Sequence, residues 1–461
     1  MDNHTGTVRM TGIGNLASVL RHRNYRLLWI GTLVSNTGDW MDQVALNWLV
    51  LQTTGSAVDL GLVNLFRGLP IMALTLIGGV AADRFERRRL MMISQAIGMA
   101  LAFILAAMVF FNNTPIWAIF AIAAARGAVI SFNQPARHSL VSEVVPRPLL
   151  PPAIALNALT MNLTKVLGPL LAGVVIAAWG TAACFAVNAL SLLVVQWSLS
   201  RMVFPPRSLE KEPESVLQSL KVGFSYLGTN SVVLALVLVA FIPVFFGQPY
   251  IHLLALFTID VFQSGPETLG ALTACAALGS VGGALCLALI PATARSGIWM
   301  LIAMLAFGLG ICVFTFAESP VYAGVLLISI GATQTFCNAS NNILLQSIVP
   351  DAVRGRVLSV LLLNKGFVQM GTAAGATLAA IIGVGWALFA FGCVVVCSAV
   401  AILLVARLFD GSGSDKPQPA GRTDEGRSCR ARLLASAQTG TFAELILPEI
   451  DTAPGAHFDH A

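Results

Sequence analysis

The sequence predicts an all-α integral membrane protein with twelve transmembrane helices, and three observations point to this class. Of its 461 residues, 56% are hydrophobic and only 11% are charged, whereas about 25% of an ordinary soluble domain is charged. Apolar runs of the roughly 20 residues that a helix needs to cross a bilayer follow one another along the chain. Lys and Arg are concentrated in alternate loops between these runs. A soluble core does not account for so much apolar surface.

Each predicted span is an apolar run bounded by short polar segments. Glycine and proline are frequent within these runs, as they are in membrane helices generally. The twelve spans are placed near residues 25–51, 56–82, 89–111, 115–138, 152–178, 181–202, 229–256, 267–290, 298–317, 321–345, 358–383 and 385–408.

The loop charges predict how the chain is oriented. One set of loops has only acidic charged residues, namely Asp59, Asp260, Glu267 and Glu318. Because cytoplasmic loops carry Lys and Arg in excess, the other set is predicted to be cytoplasmic, and both termini with it. Its basic residues are Arg21, Arg23, Arg26, Arg84, Arg87, Arg88, Arg89, Arg137, Arg147, Arg201, Arg207, Lys211, Lys221, Arg295, Arg354, Arg356 and Arg407.

A weak internal repeat predicts two six-helix halves. Residues 132–146 read FNQPARHSLVSEVVP and residues 336–350 read FCNASNNILLQSIVP, with the final Val-Pro pairs 204 residues apart. The predicted organisation is a cytoplasmic N-terminus at 1–24, an N-terminal half at 25–202, a cytoplasmic linker at 203–228, a C-terminal half at 229–408 and a disordered cytoplasmic tail at 409–461.

Ionisable residues near the centres of the spans are candidate functional residues, because each costs at least about 2.5 kcal/mol to place there. The candidates for proton coupling or for the central cavity are Asp39, Asp42, Arg67, Arg126 and Lys165. Arg67 is interpreted as a structural partner of either Asp42 or Asp59. Lys365 lies closer to a predicted cytoplasmic end and is interpreted as a snorkelling side chain.

Polar residues at helical spacing predict which helix faces line a cavity. The seventh span carries a more aromatic face, which suits either an amphiphilic ligand or helix packing. The polar lining comprises Thr32, Asn36, Asp39, Gln43 and Asn47 in the first span, Asn133 and Gln134 in the fourth, and Gln334, Asn338 and Asn341 in the tenth; the aromatic face comprises Phe241, Phe245, Phe246, Gln248 and His252.

The loop after the second span reads GGVAADRFERRRL. It resembles the major facilitator superfamily signature G-x-x-x-D-R-x-G-R-R, with Glu86 where that family usually has Gly. The resemblance implies a cytoplasmic gate, in which Gly79 allows close helix approach and Asp83 accepts hydrogen bonds; the alternative is a loop that collects arginines by the positive-inside rule. The matching positions are Gly79, Asp83, Arg84, Arg87 and Arg88.

Two further resemblances concern the branch of that superfamily. Gly168, Pro169 and Gly173 in the fifth span look like the G-P-x-x-G-G signature of proton antiporters, with Ala172 replacing one glycine. The stretches NYRLLWIGTLVSNTGD, TGSAVDLG, RGLPIM and VLGPLLAG are similar to the branch of enterobactin exporters and macrolide efflux proteins. This resemblance covers residues 20–408. It implies the major facilitator fold, with helices one, four, seven and ten lining the cavity.

The expected function is a secondary active transporter that exports a small amphiphilic molecule, such as a drug, macrolide or siderophore, across a bacterial-type inner membrane by alternating access. Protonation of Asp39 or Asp42 would weaken pairing with Arg126 and shift which side is open; the alternative is a permanent structural ion pair. A lysophospholipid flippase and an uncoupled facilitator stay open as alternatives within transport.

A receptor or membrane-embedded enzyme is the alternative from another class. The eight cysteines have no metal-ligand spacing, and the chain has no phosphate-binding GxxxxGK[ST] loop. We therefore expect no enzyme activity, no cofactor, no metal and no nucleic-acid partner. The expected partners are the substrate, protons and the lipid bilayer. Substrate identity and oligomeric state are left open, with a monomer compatible with the sequence.

Overall fold

The computed structural model describes residues 18–202, 231–290, 297–350 and 363–410, together with Ser225 and Gly228. The secondary structure of these residues is helical, with no β-strand among them. The predicted linker and tail lie outside the described residues, apart from those two positions and residues 409–410.

The chain forms a succession of long helices joined by short turns. A 3₁₀ turn, Arg147–Leu149, precedes α5, and a π-helical turn, Pro243–Gly247, joins α6 to α7. The helices are α1 Arg23–Thr54, α2 Ala57–Arg84, α3 Arg87–Phe110, α4 Ile116–Val144, α5 Leu150–Ser200, α6 Ser231–Ile242, α7 Tyr250–Asp260, α8 Pro266–Leu289, α9 Gly297–Phe314, α10 Pro320–Ile348, α11 Asn364–Ile382 and α12 Val384–Asp410.

Local backbone chemistry decides where these helices break. Gly180 adopts φ 78° and ψ 175°, a conformation that costs glycine little because it has no Cβ. It divides α5 into segments 150–179 and 181–200, which correspond to the predicted fifth and sixth spans. Pro243 has no backbone N–H to donate, and the π-helical turn that it begins lies within the predicted seventh span.

The described helices have the composition of membrane spans. Nine stretches of the described residues are long and apolar enough to cross a bilayer, and one of them, 147–200, contains the break at Gly180. Large apolar side chains lie on the outer surface, among them Trp179 at 72% exposure and Leu289 at 84%. Such a surface needs lipid. The all-α membrane class is therefore confirmed, while the count of twelve spans stays a prediction.

Glycines set the closest helix contacts within each half. A Cβ on Gly78 of α2 would lie 2.0 Å from the carbonyl oxygen of Ser131 in α4, and a Cβ on Gly279 of α8 would lie 1.9 Å from that of Ile328 in α10. Small residues of this kind allow the backbones of membrane helices to touch. α4 and α10 also begin and end 204 residues apart. The second half thus repeats the packing of the first.

The two halves meet through two further helix pairs. α2 packs on α11, where a Cβ on Gly68 would lie 2.3 Å from the Cβ of Gln369. α8 packs on α5, where a Cβ on Gly270 would lie 2.4 Å from the carbonyl oxygen of Pro169. The interface is therefore pseudo-symmetric, with the second helix of each half packed against the fifth helix of the other.

Candidate functional site

The polar stripe of α1 faces the interior of the helix bundle. Asn36 contacts side chains of α4 and α5, and Gln43 contacts side chains of α2 and α7. Asp39 lies between Asn36 and Gln43 at the three- and four-residue spacing that keeps it on the same helix face. The stripe therefore supplies the polar side chains around which the other helices are arranged.

Asp42 forms an ion pair with Arg126 at the centre of the N-terminal half. The carboxylate oxygen Oδ2 accepts from the guanidinium, and the Arg126 and Asp42 side chains are only 9% and 4% exposed. The second oxygen, Oδ1, has no hydrogen-bond partner among the described residues. Because two desolvated charges must be paired, this contact links α1 firmly to α4.

Asp39 has a different environment. Its residue surface is exposed, and it forms no salt bridge within the described part of the chain, although the charges of Arg67, Arg126 and Arg137 act on it. The neighbouring charge of Asp42 also acts on it. Asp39 is thus a carboxylate without a salt bridge among the described residues, within the field of three guanidinium groups.

Arg67 donates to the side-chain oxygen of Gln43. The predicted structural partners were Asp42 or Asp59; the hydrogen bond is instead to Gln43 on the stripe of α1, and Asp42 acts on Arg67 through its charge. Arg67 is half-buried.

Gln43 also belongs to a polar chain that joins the two halves. Gln43 Nε2 and Asn47 Nδ2 each lie 3.4 Å from Nδ1 of the buried His252 in α7. Asn64 of α2 donates to Asn47 Oδ1 at 3.1 Å. Sequence reasoning did not single out Asn64. The sequence pattern that could have identified Asn64 is its position three residues before Arg67, which places both on the same helix face.

Arg137 was grouped with the basic loop residues, although it lies one residue before the predicted end of the fourth span at 138; its burial in the bundle was not predicted. α4 continues to Val144, so Arg137 lies inside the helix, 6% exposed, with its guanidinium donating to Asn36 Oδ1. Asn36 in turn contacts Met161 Sδ of α5 at 3.0 Å. The signal was present in the sequence, since Arg137 falls eleven residues after Arg126, or about three helical turns.

Lys365 and Gln134 form a second contact between the halves. The ammonium of Lys365, in α11, donates to the side-chain oxygen of Gln134, in α4. Lys365 is exposed and lies in the first turn of α11, so the expectation of a snorkelling side chain stays a prediction. Lys165 of α5 is half-buried nearby, and its charge and that of Arg137 act on Lys365.

The C-terminal half contributes a polar pocket. Gln248, Asn338, Asn341 and Lys365 line an open cavity of about 170 Å³ between α6, the π turn, α10 and α11. Gln334 lies elsewhere, accepting from the buried Tyr250 hydroxyl at 3.3 Å. Of the residues predicted to line a cavity in the tenth span, Asn338 and Asn341 therefore lie in the pocket, whereas Gln334 forms a contact with α7.

The aromatic residues of the seventh span serve mainly to pack helices. The ring centroid of Phe241 lies 4.6 Å from that of Phe367 in α11, and Phe246 lies 5.3 Å from Phe391 in α12. Phe245 contacts its neighbour Phe246. Of the two alternatives for this face, an amphiphilic ligand site or helix packing, helix packing describes Phe241 and Phe246.

The arginine-rich motif ties helix ends together. Arg87 donates to the carbonyl oxygens of Ala82 and Ser139 and forms a 3.4 Å ion pair with Glu143. Arg88 donates to the carbonyl oxygen of Ser200 at 3.0 Å. These bonds connect the start of α3 with the ends of α2, α4 and α5.

The other motif positions behave differently. Arg84 is exposed, and the side chain of Asp83 lies outside the described part of the structure. The close helix approach predicted at Gly79 was wrong, since a Cβ there would meet no atom within 4 Å. The contact belongs to Gly78, because a shift of one residue rotates the helix face by about 100°.

The Gly-Pro motif of α5 lies at two helix contacts. A Cβ on Gly168 would lie 2.4 Å from the Cβ of Trp40 in α1, and a Cβ on Gly173 would lie 2.8 Å from the carbonyl oxygen of Pro266 in α8. Pro169 lies between them and faces Gly270. The motif thus presents a smooth surface on which α1 and α8 pack closely.

Curated relatives cover most of the chain. It is 26% identical over 339 residues to the staphyloferrin A transporter of Staphylococcus aureus, covering 73% of this chain and 84% of the relative. It is 28% identical over 349 residues to the multidrug efflux pump Tap of Mycolicibacterium fortuitum, with 73% and 84% covered. The enterobactin exporter EntS of Shigella flexneri is 25% identical over 352 residues, with 74% and 82% covered.

Solved structures share the fold at low sequence identity. A bacterial homologue of the human lysosomal transporter Spinster, in an inward-facing and unoccupied conformation, superposes with a TM-score of 0.66 at 17% identity, covering 87% of this chain and 99% of that one. The nucleoside transporter NupG gives 0.64 at 16% identity, with 83% and 98% covered.

The family model described as transmembrane secretion effector matches residues 14–420. The chain therefore belongs to this family of major facilitator superfamily transporters and is a multi-pass membrane protein, not an enzyme.

Proposed function

We propose that the protein is a proton-coupled secondary exporter that moves a small amphiphilic molecule out across a bacterial-type inner membrane, with both termini in the cytoplasm. Its relatives are named as transporters or exporters of siderophores and as efflux pumps for macrolides and drugs. The basic loop residues favour the orientation, because cytoplasmic loops carry Lys and Arg in excess.

The observation that carries the proton coupling is the pair of unlike carboxylates in α1. Asp42 is paired with Arg126, whereas Asp39 has no salt bridge among the described residues and lies in the field of three arginines. Without an ion pair to break, Asp39 can take up and release a proton more readily than Asp42. Asp39 is therefore the proposed proton carrier, and Asp42 the fixed anion that balances Arg126.

Protonation of Asp39 would change the balance of charge within the N-terminal half. Neutralising this carboxylate removes an attraction for Arg67 and Arg137 and leaves the repulsion of Arg67 by Arg126 less compensated. These arginines hold Gln43 and Asn36, and Gln43 also contacts His252 of the other half. A proton on Asp39 would thus bias the contact between halves, which is the change that alternating access requires.

The test is substrate-dependent proton movement in proteoliposomes loaded with a pH-sensitive dye. The panel consists of siderophores, macrolides, other amphiphilic drugs and lysolipids. We expect a transported substrate to move protons in the opposite direction, and Asp39→Asn to abolish the proton signal while the protein still inserts.

Asp59→Asn is the matched control, because Asp59 lies in the first turn of α2, away from the arginines. It should keep wild-type flux. Substrate movement without proton movement in the wild type would instead identify an uncoupled facilitator or flippase. Full coupling in Asp39→Asn would rule out Asp39 as the carrier.

A further inference from the structure

The interior charges of this protein do not balance. Four cationic side chains, Arg67, Arg126, Arg137 and Lys165, lie away from the ends of α2, α4 and α5, and Lys365 lies beside them in the first turn of α11. The described carboxylates in this part of the bundle are Asp39 and Asp42. Asp42 is committed to Arg126. Asp39 can compensate at most one of the remaining four cations, so a positive excess is left in this part of the bundle.

Three of these cations are held by neutral amide groups. Arg67 donates to Gln43, Arg137 to Asn36 and Lys365 to Gln134. An amide oxygen orients a cation through a hydrogen bond but does not cancel its charge. The amides therefore position the cations and leave their field directed into the cavity.

The cations are also close enough to repel one another. The positive charges of Arg137 and Lys165 both act on Lys365. Like charges close to one another destabilise each other. Such an arrangement is relieved when an anion enters.

The pocket beside Lys365 has the chemistry to receive one. Its lining includes the amide side chains of Asn338, Asn342 and Gln248, which can donate hydrogen bonds, and an apolar part formed by Ala240, Val244 and Val368. Two further amides of the pocket, Asn341 and Asn364, have buried side-chain oxygens without a hydrogen-bond partner among the described residues. A ligand with hydrogen-bond donors beside its acid group would satisfy them.

From this geometry we infer that the transported substrate is an anionic amphiphile, and that Lys365 binds its acid group while the apolar part of the lining receives its hydrocarbon portion. The inference rests on the proposed transport function and adds the sign of the substrate charge. It excludes cationic amphiphiles as preferred substrates, because they would add to the existing positive excess.

The test compares two ligands that share one apolar group and differ in charge. Purified full-length protein in detergent is heated with 2-naphthylacetate or with (2-naphthylmethyl)trimethylammonium, and the thermal midpoint is followed as ligand is added. We expect the acid to raise the midpoint with a saturable dependence, and the cation to leave it unchanged. Added salt should weaken the effect of the acid.

Variants locate the site. Lys365→Gln should weaken the apparent affinity for the acid about tenfold, the loss expected when one charge-assisted hydrogen bond is removed. Lys365→Arg keeps the charge and should retain binding, which separates loss of charge from misfolding. Arg201→Gln, at an exposed position after α5, removes one positive charge far from the pocket and should bind as the wild type does.

Equal stabilisation by the two ligands, or unchanged acid binding in Lys365→Gln, would overturn the inference. The result is independent of proton coupling. If the protein binds and transports acids without moving protons, only the proposed proton coupling is refuted. If it exports cationic molecules in exchange for protons, only the inferred substrate charge is refuted.

Discussion

Replacing Gly78 by alanine should destabilise the protein, while the same change at the neighbouring Gly79 should not. The two positions share a helix, a residue type and the same alanine substitution, so differences in helix propensity cancel between them. They differ in what the new methyl group meets. At Gly78 it would lie 2.0 Å from the carbonyl oxygen of Ser131, whereas at Gly79 no atom lies within 4 Å.

The size of the effect follows from that contact. The obstructing atom belongs to the backbone of α4, so no side-chain rotation can relieve it, and α2 must move away by about 1 Å to restore an ordinary contact distance. Overpacking of this kind costs about 1–3 kcal/mol. The hydroxyl of Ser131 donates to the Pro70 carbonyl oxygen of α2 at 3.2 Å, and the separation would weaken that bond as well.

The assay is thermal unfolding of the purified variants in one detergent, followed by the fraction that remains monodisperse after heating. We expect the midpoint of Gly78→Ala to fall by several degrees and that of Gly79→Ala to stay at or above the wild-type value. Equal midpoints would show that α2 and α4 are not in backbone contact, and a loss confined to Gly79→Ala would show that α2 is rotated by one residue.

Two further predictions concern ion pairs. Asp42→Asn or Arg126→Gln alone should each lower the free energy of unfolding by about 3–5 kcal/mol, because each leaves one buried charge unpaired. The double variant should lose less than the sum of the two single variants. Additive losses in thermal unfolding would contradict the pairing. Glu143→Gln should lower the free energy of unfolding by less than about 1 kcal/mol, because its ion pair with Arg87 is partly exposed. Arg87→Leu should lower it by more, since it also removes hydrogen bonds to the Ala82 and Ser139 carbonyl oxygens. Equal thermal midpoints for the two variants would count against this role of Arg87.

The structural class of the protein could be predicted from its amino-acid composition and from the succession of apolar runs along the chain. A bilayer imposes a minimum length and an apolar surface on every spanning helix, so runs of hydrophobic residues carry this information without reference to any partner. The same constraint made Asp39, Asp42, Arg67 and Arg126 visible as candidates, because an ionisable residue within an apolar run is costly wherever its partner lies.

Where a helix ended was harder to predict, and one buried polar contact was missed for that reason. Arg137 was grouped with the loop charges near the predicted end of the fourth span at 138, yet α4 continues to Val144 and Arg137 is buried against Asn36. A buried polar pair of this kind has little hydropathy signal. The periodic position of Arg137 relative to Arg126 was the only indication in the sequence.

The sequence by itself determined that the chain is an α-helical membrane protein, which residues are costly in its interior and which faces of the helices are polar. Only the tertiary structure decided that Arg67 bonds to Gln43, that Lys365 reaches Gln134 in the other half and that Gly78 makes the helix contact expected of Gly79. The physical reason is that partners depend on how each helix is rotated and displaced along its axis. A one-residue rotation turns a side chain by about 100°, and packing against neighbouring helices, not local sequence, fixes that angle.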